Sequence, residues 1–299
     1  MNSKKLHVVN LLPTYNEAEN IIPMLEALQE IANQNPQYRF STLIVDDNSP
    51  DGTGELVKQY QNHQKPHLTS LLIKGRKSPL FAKEGARGSS KTNVHLLTGQ
   101  KQGLGKALIR GYQHAIKHLH ADVIVSNDCD FQFNPYDIPR LLEKINQGFA
   151  VVIASRHTSG GGVEGWETKR QITHWIANYF FAAVVAGLNQ VTDHNGNFRA
   201  MRVKGVLDQI KLDQIPVTGY GFLNYMIYEF SKINTKITEI PVTFKWRERG
   251  ETKVSFTPKY IRTFFRDTLE YIKLCFWIRW VRSQNKISKI KNQIYKSNI

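Results

Sequence analysis

Two carboxylates and one amide form a pattern in this 299-residue chain that could bind a metal ion. Asp128, Asp130 and Gln132 follow the apolar run 123–125, so we expect them at the end of a strand. If the chain stays extended there, alternate residues point to the same side. Oxygen ligands suit Mg²⁺ or Mn²⁺, and such an ion can neutralise charge growing on a diphosphate leaving group. The alternative is an acidic turn that caps the next helix.

Polar clusters also follow two earlier apolar runs. Asp46 and Asp47 come directly after residues 42–45, and a carboxylate there could accept hydrogen bonds from a nucleobase or a ribose. The cluster that begins at Pro13 adds the aromatic face of Tyr15 and the carboxylate of Glu17. Ordinary turns and a helix entry are the alternatives, because Asn, Ser, Pro, Asp and Gly all favour turns.

Four cations are candidates for phosphate contacts: Arg156, Arg170, Arg247 and Lys253. An arginine can bind a phosphate through two hydrogen bonds, whereas a lysine acts as a point charge. Any one of these residues, taken alone, is more often a solvated surface cation.

Strand-like and helical segments alternate along the first half of the chain. Apolar runs at 7–12, 42–45, 94–97, 123–125 and 151–154 alternate with helical spacing at 19–31, 54–60, 106–118 and 138–146. This order predicts an α/β fold with a mostly parallel sheet and helices on both faces. Ligands bind beyond the carboxyl ends of the strands in such sheets, which is where the polar clusters fall.

Composition narrows the classes of protein further. The chain is 41% hydrophobic and has two cysteines, which excludes disordered and disulfide-scaffold proteins and fits a reducing compartment. The formal net charge is +15, and +10 of it lies in residues 245–299, which favours polyanionic ligands or surfaces. We see no secretory signal and no uninterrupted apolar segment of spanning length, so we expect a cytoplasmic protein.

Two segments interrupt the alternation of strands and helices. Residues 74–93 are rich in Gly, Ser, Lys and Arg and are expected to form a long loop. The triple glycine 160–162 precedes an apolar helix expected at 175–188.

Taken together, these residues closely resemble the dolichol-phosphate (polyprenol-phosphate) mannosyltransferases of glycosyltransferase family 2. The resemblance runs from about residue 8 to residue 254. It is carried by PTYNE, VDDNSPDGT, K-x-GLG-K-A, D-C-D-F-Q, SRH-x-x-GGGV-x-GW-x-x-KR, AN, D-x-x-G-N-FR, GY-x-F and R-x-x-G-x-x-K. It implies a GT-A fold, which is Rossmann-like, and inverting transfer of a hexose, usually mannose from GDP-mannose, to a polyprenyl phosphate.

The resemblance also implies roles for single residues. Those of the nucleotide-sugar pocket are Pro13, Tyr15, Glu17, Asp47, Asp128, Arg247 and Lys253. Those of the metal, Mg²⁺ or Mn²⁺, are Asp128, Asp130 and Gln132. Catalysis would involve Asp130, Arg156 and Arg170. The acceptor phosphate would meet Arg156, Arg170 and His174, the last standing where some relatives have a serine.

Other departures from the family pattern concern the core and the loops. Cys129 replaces the usual alanine of the acidic motif, Leu223 and Tyr225 replace the usual Gln and Glu, and the 74–93 segment is an insertion. These changes affect the expected sugar and acceptor but leave the metal-binding residues intact.

The expected organisation is a transferase domain over residues 1–257, with acceptor-side interfacial helices at 160–190. An amphipathic, basic arm at 258–299 is expected to lie on the cytoplasmic face of a membrane without crossing it. The alternative is that its aromatics pack on the transferase domain or on a membrane-spanning partner subunit.

Three alternative functions stay open at this point. A family 2 enzyme could use a UDP-sugar, for example to transfer glucose to polyprenyl phosphate. A basic nucleic-acid-binding protein would explain the charge, but not the acidic clusters, which repel phosphate. A non-catalytic relative would not need the retained acids and arginines.

Overall fold

The computed structural model describes residues 5–63, 92–247 and 261–297. The strands are β1 (His7–Thr14), β2 (Arg39–Asp46), β3 (Asn93–Thr98), β4 (Val123–Ser126), β5 (Val151–Ser155), β6 (Gly162–Val163), β7 (Arg199–Arg202), β8 (Ile237–Pro241) and β9 (Thr243–Phe244). The α-helices are α1 (Ala18–Gln34), α2 (Thr53–His63), α3 (Leu104–Lys117), α4 (Ile138–Asn146), α5 (Thr168–Trp175), α6 (Gly221–Lys232) and α7 (Ile261–Ser297). A π-helical segment, Ile176–Val185, continues α5.

Seven strands form one sheet in the order β3-β2-β1-β4-β7-β5-β8. All neighbouring pairs are parallel except those of β7, which runs antiparallel between β4 and β5. Strands β6 and β9 form a small separate sheet. The carboxyl ends of β1, β2, β4 and β5 therefore share one edge, as the alternating pattern predicts.

Helices cover both faces of the sheet, and the central strand β1 is accordingly apolar on both sides. Val8 and Leu12 of β1 pack in the cluster that contains α1 and α4, whereas Val9 and Leu11 pack in the cluster that contains α3 and α6. Helix α3 lies close to β1 at Gly111, where a Cβ atom would meet Leu11 Cδ1 at 2.5 Å. The predicted α/β class with a mostly parallel sheet is confirmed.

One stripe of helix α7 is part of the hydrophobic core. Tyr271, Leu274, Cys275 and Ile278 are all buried against the side of the sheet that carries α3 and α6. Leu223 and Tyr225, which replace the usual Gln and Glu of the family pattern, take part in this contact. Both side chains are buried in the same cluster, and the Tyr225 ring stacks on Trp277 with ring centroids 6.0 Å apart. The described part of the expected interfacial arm, α7, is thus packed along one side on the core of the sheet domain.

Docking of α7 is expected to contribute to stability. Leu274→Ala, at a position only 6% exposed, should lower the free energy of unfolding by about 2–5 kcal/mol, because it leaves a cavity. Leu269→Ala on the same helix is the matched control: Leu269 is 55% exposed, and a change within about 0.5 kcal/mol is expected. Urea unfolding followed by circular dichroism checks both, and equal midpoints for the two variants would contradict the docking.

None of the helices in the described parts of the chain combines the length and the apolar character needed to cross a membrane. Of the expected 74–93 loop, only the last two residues are described, and Asn93 already begins β3. Lys253 also lies outside the described residues.

Candidate active site

A cavity of about 610 Å³ lies at the carboxyl edge of the sheet. Most of the residues singled out from the sequence line it: Pro13, Tyr15, Glu17, Asp47, Asp128, Asp130, Gln132, Arg156, Arg170 and Arg247. They come from segments more than 200 positions apart, and the parallel strands bring them to one edge.

The two adjacent acids after β2 have different surroundings. Asp46 is buried and accepts hydrogen bonds from Ser49 N and Thr14 Oγ1, so it holds the turn together. Asp47 lines the cavity and forms an ion pair with Arg110 of α3. Burial raises the pKa of Asp47, although the hydrogen bond from Arg110 opposes this change. Only the second acid is therefore placed to meet a ligand.

Tyr15 supplies an aromatic wall beside Asp47. The ammonium group of Lys101 lies 3.5 Å from the centre of the Tyr15 ring, a cation–π contact. An aromatic face, a carboxylate and cations in one corner suit a planar, polar heterocycle joined to phosphates.

The acidic motif after β4 is a turn and not an extended segment, in contrast to the expectation. Phe131 has a φ of +59°, a left-handed conformation that is strained for a bulky side chain. The turn is closed by a hydrogen bond from Gln132 N to Asp130 Oδ1 at 3.1 Å. Asp128, Asp130 and Gln132 still face the same cavity, because the turn rather than strand alternation aims them there.

The charges of this turn are only partly compensated. Burial and the neighbouring Asp130 carboxylate raise the pKa of Asp128 to about 6, against a hydrogen bond from Asn197 Nδ2 to Asp128 Oδ1 of 2.9 Å. Two crowded carboxylates and an amide oxygen are a donor set that a hard divalent cation would satisfy. The residues present therefore fit an Mg²⁺ or Mn²⁺ ion.

Arg156 also lines the cavity and is held in place by a buried carboxylate. Its Nε and Nη2 atoms donate to the two oxygens of Asp193 at 2.7 Å each, and its backbone N donates to the same carboxylate at 3.0 Å. The guanidinium also lies 5.2 Å from the centre of the Phe244 ring. Asp193 is fully buried, so this is a buried, bidentate ion pair that fixes a positive charge in the cavity wall.

Arg170, at the start of α5, lies between two indoles. Its Cζ atom is 4.4 Å from the centre of the Trp166 ring and 5.5 Å from that of Trp246. Arg156 and Arg170 both line the cavity, and burial together with the charge of Arg156 lowers the pKa of Arg170. An anion would relieve their repulsion.

His174 is not among the described residues that line the cavity. Its Nε2 atom is 3.0 Å from Nε2 of His157, and its ring meets Trp166 edge to face. Burial and the charge of Arg156 lower the pKa of His174 to about 3, so the ring is neutral at pH 7. The acceptor-phosphate role of His174 stays a prediction, in which His174 acts without a charge.

His157, His174 and Asp193 lie close enough together to be considered as metal ligands. However, both oxygens of Asp193 already accept hydrogen bonds from Arg156 and from backbone N–H groups of Asn195 and Gly196. The carboxylate of Asp193 is therefore already engaged, which argues against a metal ion at these three residues. His157 and His174 form a hydrogen-bonded pair of imidazoles beside the Arg156–Asp193 ion pair.

Three residues of the site were not predicted from single motifs: Arg110, Asp193 and Asn197. Asp193 and Asn197 belong to the D-x-x-G-N-FR motif, which was a signal of resemblance without an assigned role. Arg110 gave no signal of its own, because its partner Asp47 lies 63 positions away.

The fold and the cavity define an α/β enzyme site that combines a carboxylate cluster, Asp128 and Asp130, with an arginine pair, Arg156 and Arg170. The sequence profile named "Glycosyl transferase family 2" matches residues 11–208. The chain therefore belongs to glycosyl transferase family 2 and is a glycosyltransferase.

Three relatives show the similarity over most of the chain. The chain is 32% identical over 251 residues to the undecaprenyl-phosphate mannosyltransferase of Micrococcus luteus, covering 84% of this chain and 88% of the relative. It is 28% identical to the polyprenol monophosphomannose synthase of Mycolicibacterium smegmatis, covering 82% and 80%. It is 30% identical to the dolichol-phosphate mannosyltransferase of Pyrococcus furiosus, covering 86% of this chain but 62% of that one.

Two solved structures share the fold. The mannosyl-3-phosphoglycerate synthase of Rubrobacter xylanophilus gives a TM-score of 0.60 at 16% identity, covering 94% of this chain and 75% of that one. The glucosyl-3-phosphoglycerate synthase of Mycobacterium tuberculosis, solved with Mg²⁺ and UDP, gives 0.53 at 14% identity, covering 91% and 80%. The expected GT-A type of α/β fold is confirmed.

Proposed function

We propose that this enzyme transfers a hexose, mannose from GDP-mannose, to a polyprenyl phosphate with inversion at the sugar C1. The observation that carries the proposal is one cavity with a carboxylate cluster at Asp128 and Asp130 and an arginine pair at Arg156 and Arg170. The three relatives are all named as mannosyltransferases or phosphomannose synthases of polyprenyl-type phosphates, which supports the substrate class.

The carboxylate cluster is assigned to the donor. Asp47 and Tyr15 would bind the nucleoside, and Asp128, Asp130 and Gln132 would hold Mg²⁺ or Mn²⁺. The ion, when bound, supplies positive charge to the diphosphate leaving group. Glu17 and Asn197 support the arrangement, Glu17 through its contact with Arg247 and Asn197 through its hydrogen bond to Asp128.

The arginine pair is assigned to the acceptor. A phosphate monoester is already anionic at pH 7, so its oxygen can attack C1 without a strong base. The C1–oxygen bond to the acceptor phosphate forms while the bond to the nucleoside diphosphate breaks, and the electron pair leaves with the diphosphate. Arg156 and Arg170 bring two like-charged phosphates together, which is a matter of orientation and charge compensation.

A transfer assay with several donors tests this function. Purified protein is incubated with polyprenyl phosphate, Mn²⁺ or Mg²⁺, and radiolabelled GDP-mannose, UDP-glucose or GDP-glucose, and the lipid phase is counted. GDP-mannose should give the fastest labelling. Faster labelling from UDP-glucose would show that the enzyme transfers glucose from a UDP-sugar and not mannose. No lipid labelling from any donor would refute the proposal.

Arg170→Ala should affect the acceptor more than the donor. Loss of a charge-assisted phosphate contact of about 1.5–3 kcal/mol should raise KM for polyprenyl phosphate at least about tenfold. Binding of GDP, measured by calorimetry, should change little. Arg140→Ala removes an arginine that is 47% exposed and pairs with Asp137, and it is the matched control. Equal damage to both substrates would assign Arg170 to the donor as well.

We also propose that the enzyme works at the surface of a membrane, on its cytoplasmic face. The acceptor is a lipid, and the π-helical segment with α5 exposes six large apolar side chains between 39% and 57%: Ile172, Trp175, Ile176, Tyr179, Phe180 and Val184. An exposed patch of this kind marks an interaction surface.

Helix α7 presents a second exposed stripe. Phe265, Leu269, Phe276 and Trp280 are 55–60% exposed and lie on the side of the helix opposite its buried stripe, at 100° per residue. Exposed cations flank this stripe: Arg262, Arg266, Lys273 and Arg279. A hydrogen bond of 2.6 Å from the buried Tyr271 hydroxyl to the Ala177 carbonyl joins α7 to the π-helical segment. Aromatics between cations suit an anionic headgroup layer.

The double substitution Phe276→Glu with Trp280→Glu should weaken binding to anionic vesicles about tenfold or more, because it removes two aromatics and adds two negative charges. Point substitutions are preferable to a truncation, because removal of α7 would also remove residues of the hydrophobic core. Vesicle flotation measures binding, and high salt should reduce it. Tyr136→Gln, at an exposed aromatic outside the two patches, is the control. Failure of the unaltered chain to float would contradict the proposal.

A further inference from the structure

The guanidinium of Arg247 lies inside the carboxylate cluster that is assigned to the metal. Its Nη2 atom is 2.5 Å from Asp130 Oδ2 and 3.4 Å from Glu17 Oε1, and the side chain is only 10% exposed. Asp130 Oδ2 is also an atom that a divalent ion at this cluster would use. The guanidinium of Arg247 is thus a cation of the protein that already contacts Asp130 and Glu17.

The backbone near Arg247 is fixed to the same cluster. Lys245 N donates to the carbonyl of Gln132 at 2.8 Å, and Gln132 Nε2 donates to the carbonyl of Lys245 at 3.3 Å. Arg247 therefore enters the cavity from an anchored point two residues further on. Its long side chain can redirect the guanidinium without a change in this pairing.

The charges of the carboxylate cluster and of Arg247 determine how the site responds to a divalent ion. Asp128, Asp130 and Glu17 carry up to three negative charges, and Arg247 offsets one of them. An ion at Asp130 and a guanidinium on the same carboxylate would repel each other at close range. A diphosphate changes this balance, because its oxygens can accept bidentate hydrogen bonds from the displaced arginine.

We propose that Arg247 takes the place of the divalent cation in the ligand-free enzyme and transfers to the donor diphosphate when the ion binds. The proposal rests on the proposed function, because it assumes a metal at Asp128 and Asp130. It makes the ion and the nucleotide bind cooperatively: each binds weakly alone and more tightly when the other is present, by the same factor. Arg247 would thereby limit occupancy by metal alone.

Calorimetric titration with Mn²⁺, with and without saturating GDP, tests the coupling without measuring activity. In the unaltered enzyme, GDP should raise the Mn²⁺ affinity about tenfold or more. Arg247→Gln should bind Mn²⁺ alone about tenfold more tightly than the unaltered enzyme does, and GDP should add much less. Arg247→Lys keeps the charge and should restore part of the coupling.

Arg170→Gln is the matched control, since it removes a cation from the same cavity that contacts indoles. It should change the Mn²⁺ affinity far less than Arg247→Gln does. Similar effects of the two variants, or unchanged Mn²⁺ affinity in a folded Arg247→Gln, would overturn the inference while leaving the proposed function standing. Absence of Mn²⁺ binding to the unaltered enzyme, with GDP present, would overturn both.

Discussion

Asp130→Asn is expected to reduce sugar transfer about a hundredfold or more while the fold stays intact. The substitution keeps the shape of the side chain but removes a negative charge from the cluster that would hold the divalent ion. Initial rates at saturating donor and acceptor, together with a circular dichroism spectrum, check the expectation.

The matched control for this experiment is Asp213→Asn, which changes an exposed carboxylate that does not line the cavity. It should leave the rate unchanged. Near-normal turnover by Asp130→Asn would refute the assignment of Asp130, whereas loss of activity in both variants would point to a general effect of charge.

Asp193→Asn is expected to destabilise the enzyme by about 3–5 kcal/mol, because it leaves the buried Arg156 cation without its counterion. The amide would also place an N–H₂ group against the donors of Arg156. Asp137→Asn, which weakens a pair whose arginine is 47% exposed, should cost less than about 1 kcal/mol. Urea unfolding distinguishes the two, and equal midpoints would show that the buried pair contributes little.

The stability difference should depend on pH in a defined direction. Burial alone would raise the pKa of Asp193, but the charge and hydrogen bonds of Arg156 outweigh it and hold this pKa well below its usual range. A depressed carboxyl pKa stabilises the fold above the unfolded-state pKa, about 3.9, and the contribution is lost as pH falls through the folded-state pKa. The difference between the two proteins should therefore persist from pH 9 to pH 5 and shrink below about pH 4.

Helix and strand periodicity predicted the part of the fold that depends on local apolar patterns. The predicted helix at 138–146 coincides with α4, because Ile138, Leu141, Leu142 and Ile145 form one buried face. The edge at which the polar clusters meet followed from the parallel order of the strands.

Strand β7 shows why other parts could not be predicted. Its four residues, RAMR, read as polar, yet Arg199 is only 1% exposed. Its guanidinium donates hydrogen bonds to the backbone carbonyls of His194, Gly196 and Leu223, which satisfy the buried side chain. No periodic pattern in the sequence predicts these bonds. The partner of Arg156 likewise lies 37 positions away, so only the folded chain shows that Asp193 is the counterion.

The antiparallel strand β7 also has an electrostatic consequence. It separates β4 from β5, so the strands whose ends carry the acids and Arg156 lie two interstrand spacings apart, about 9.5 Å. The segment that leads into β7 supplies a different partner to each of them: Asn197 donates a hydrogen bond to Asp128, and Asp193 is the counterion of Arg156. β7 therefore brings a neutral amide to the acids and a carboxylate to the arginine, so that each charged group has a partner from the same short stretch of chain.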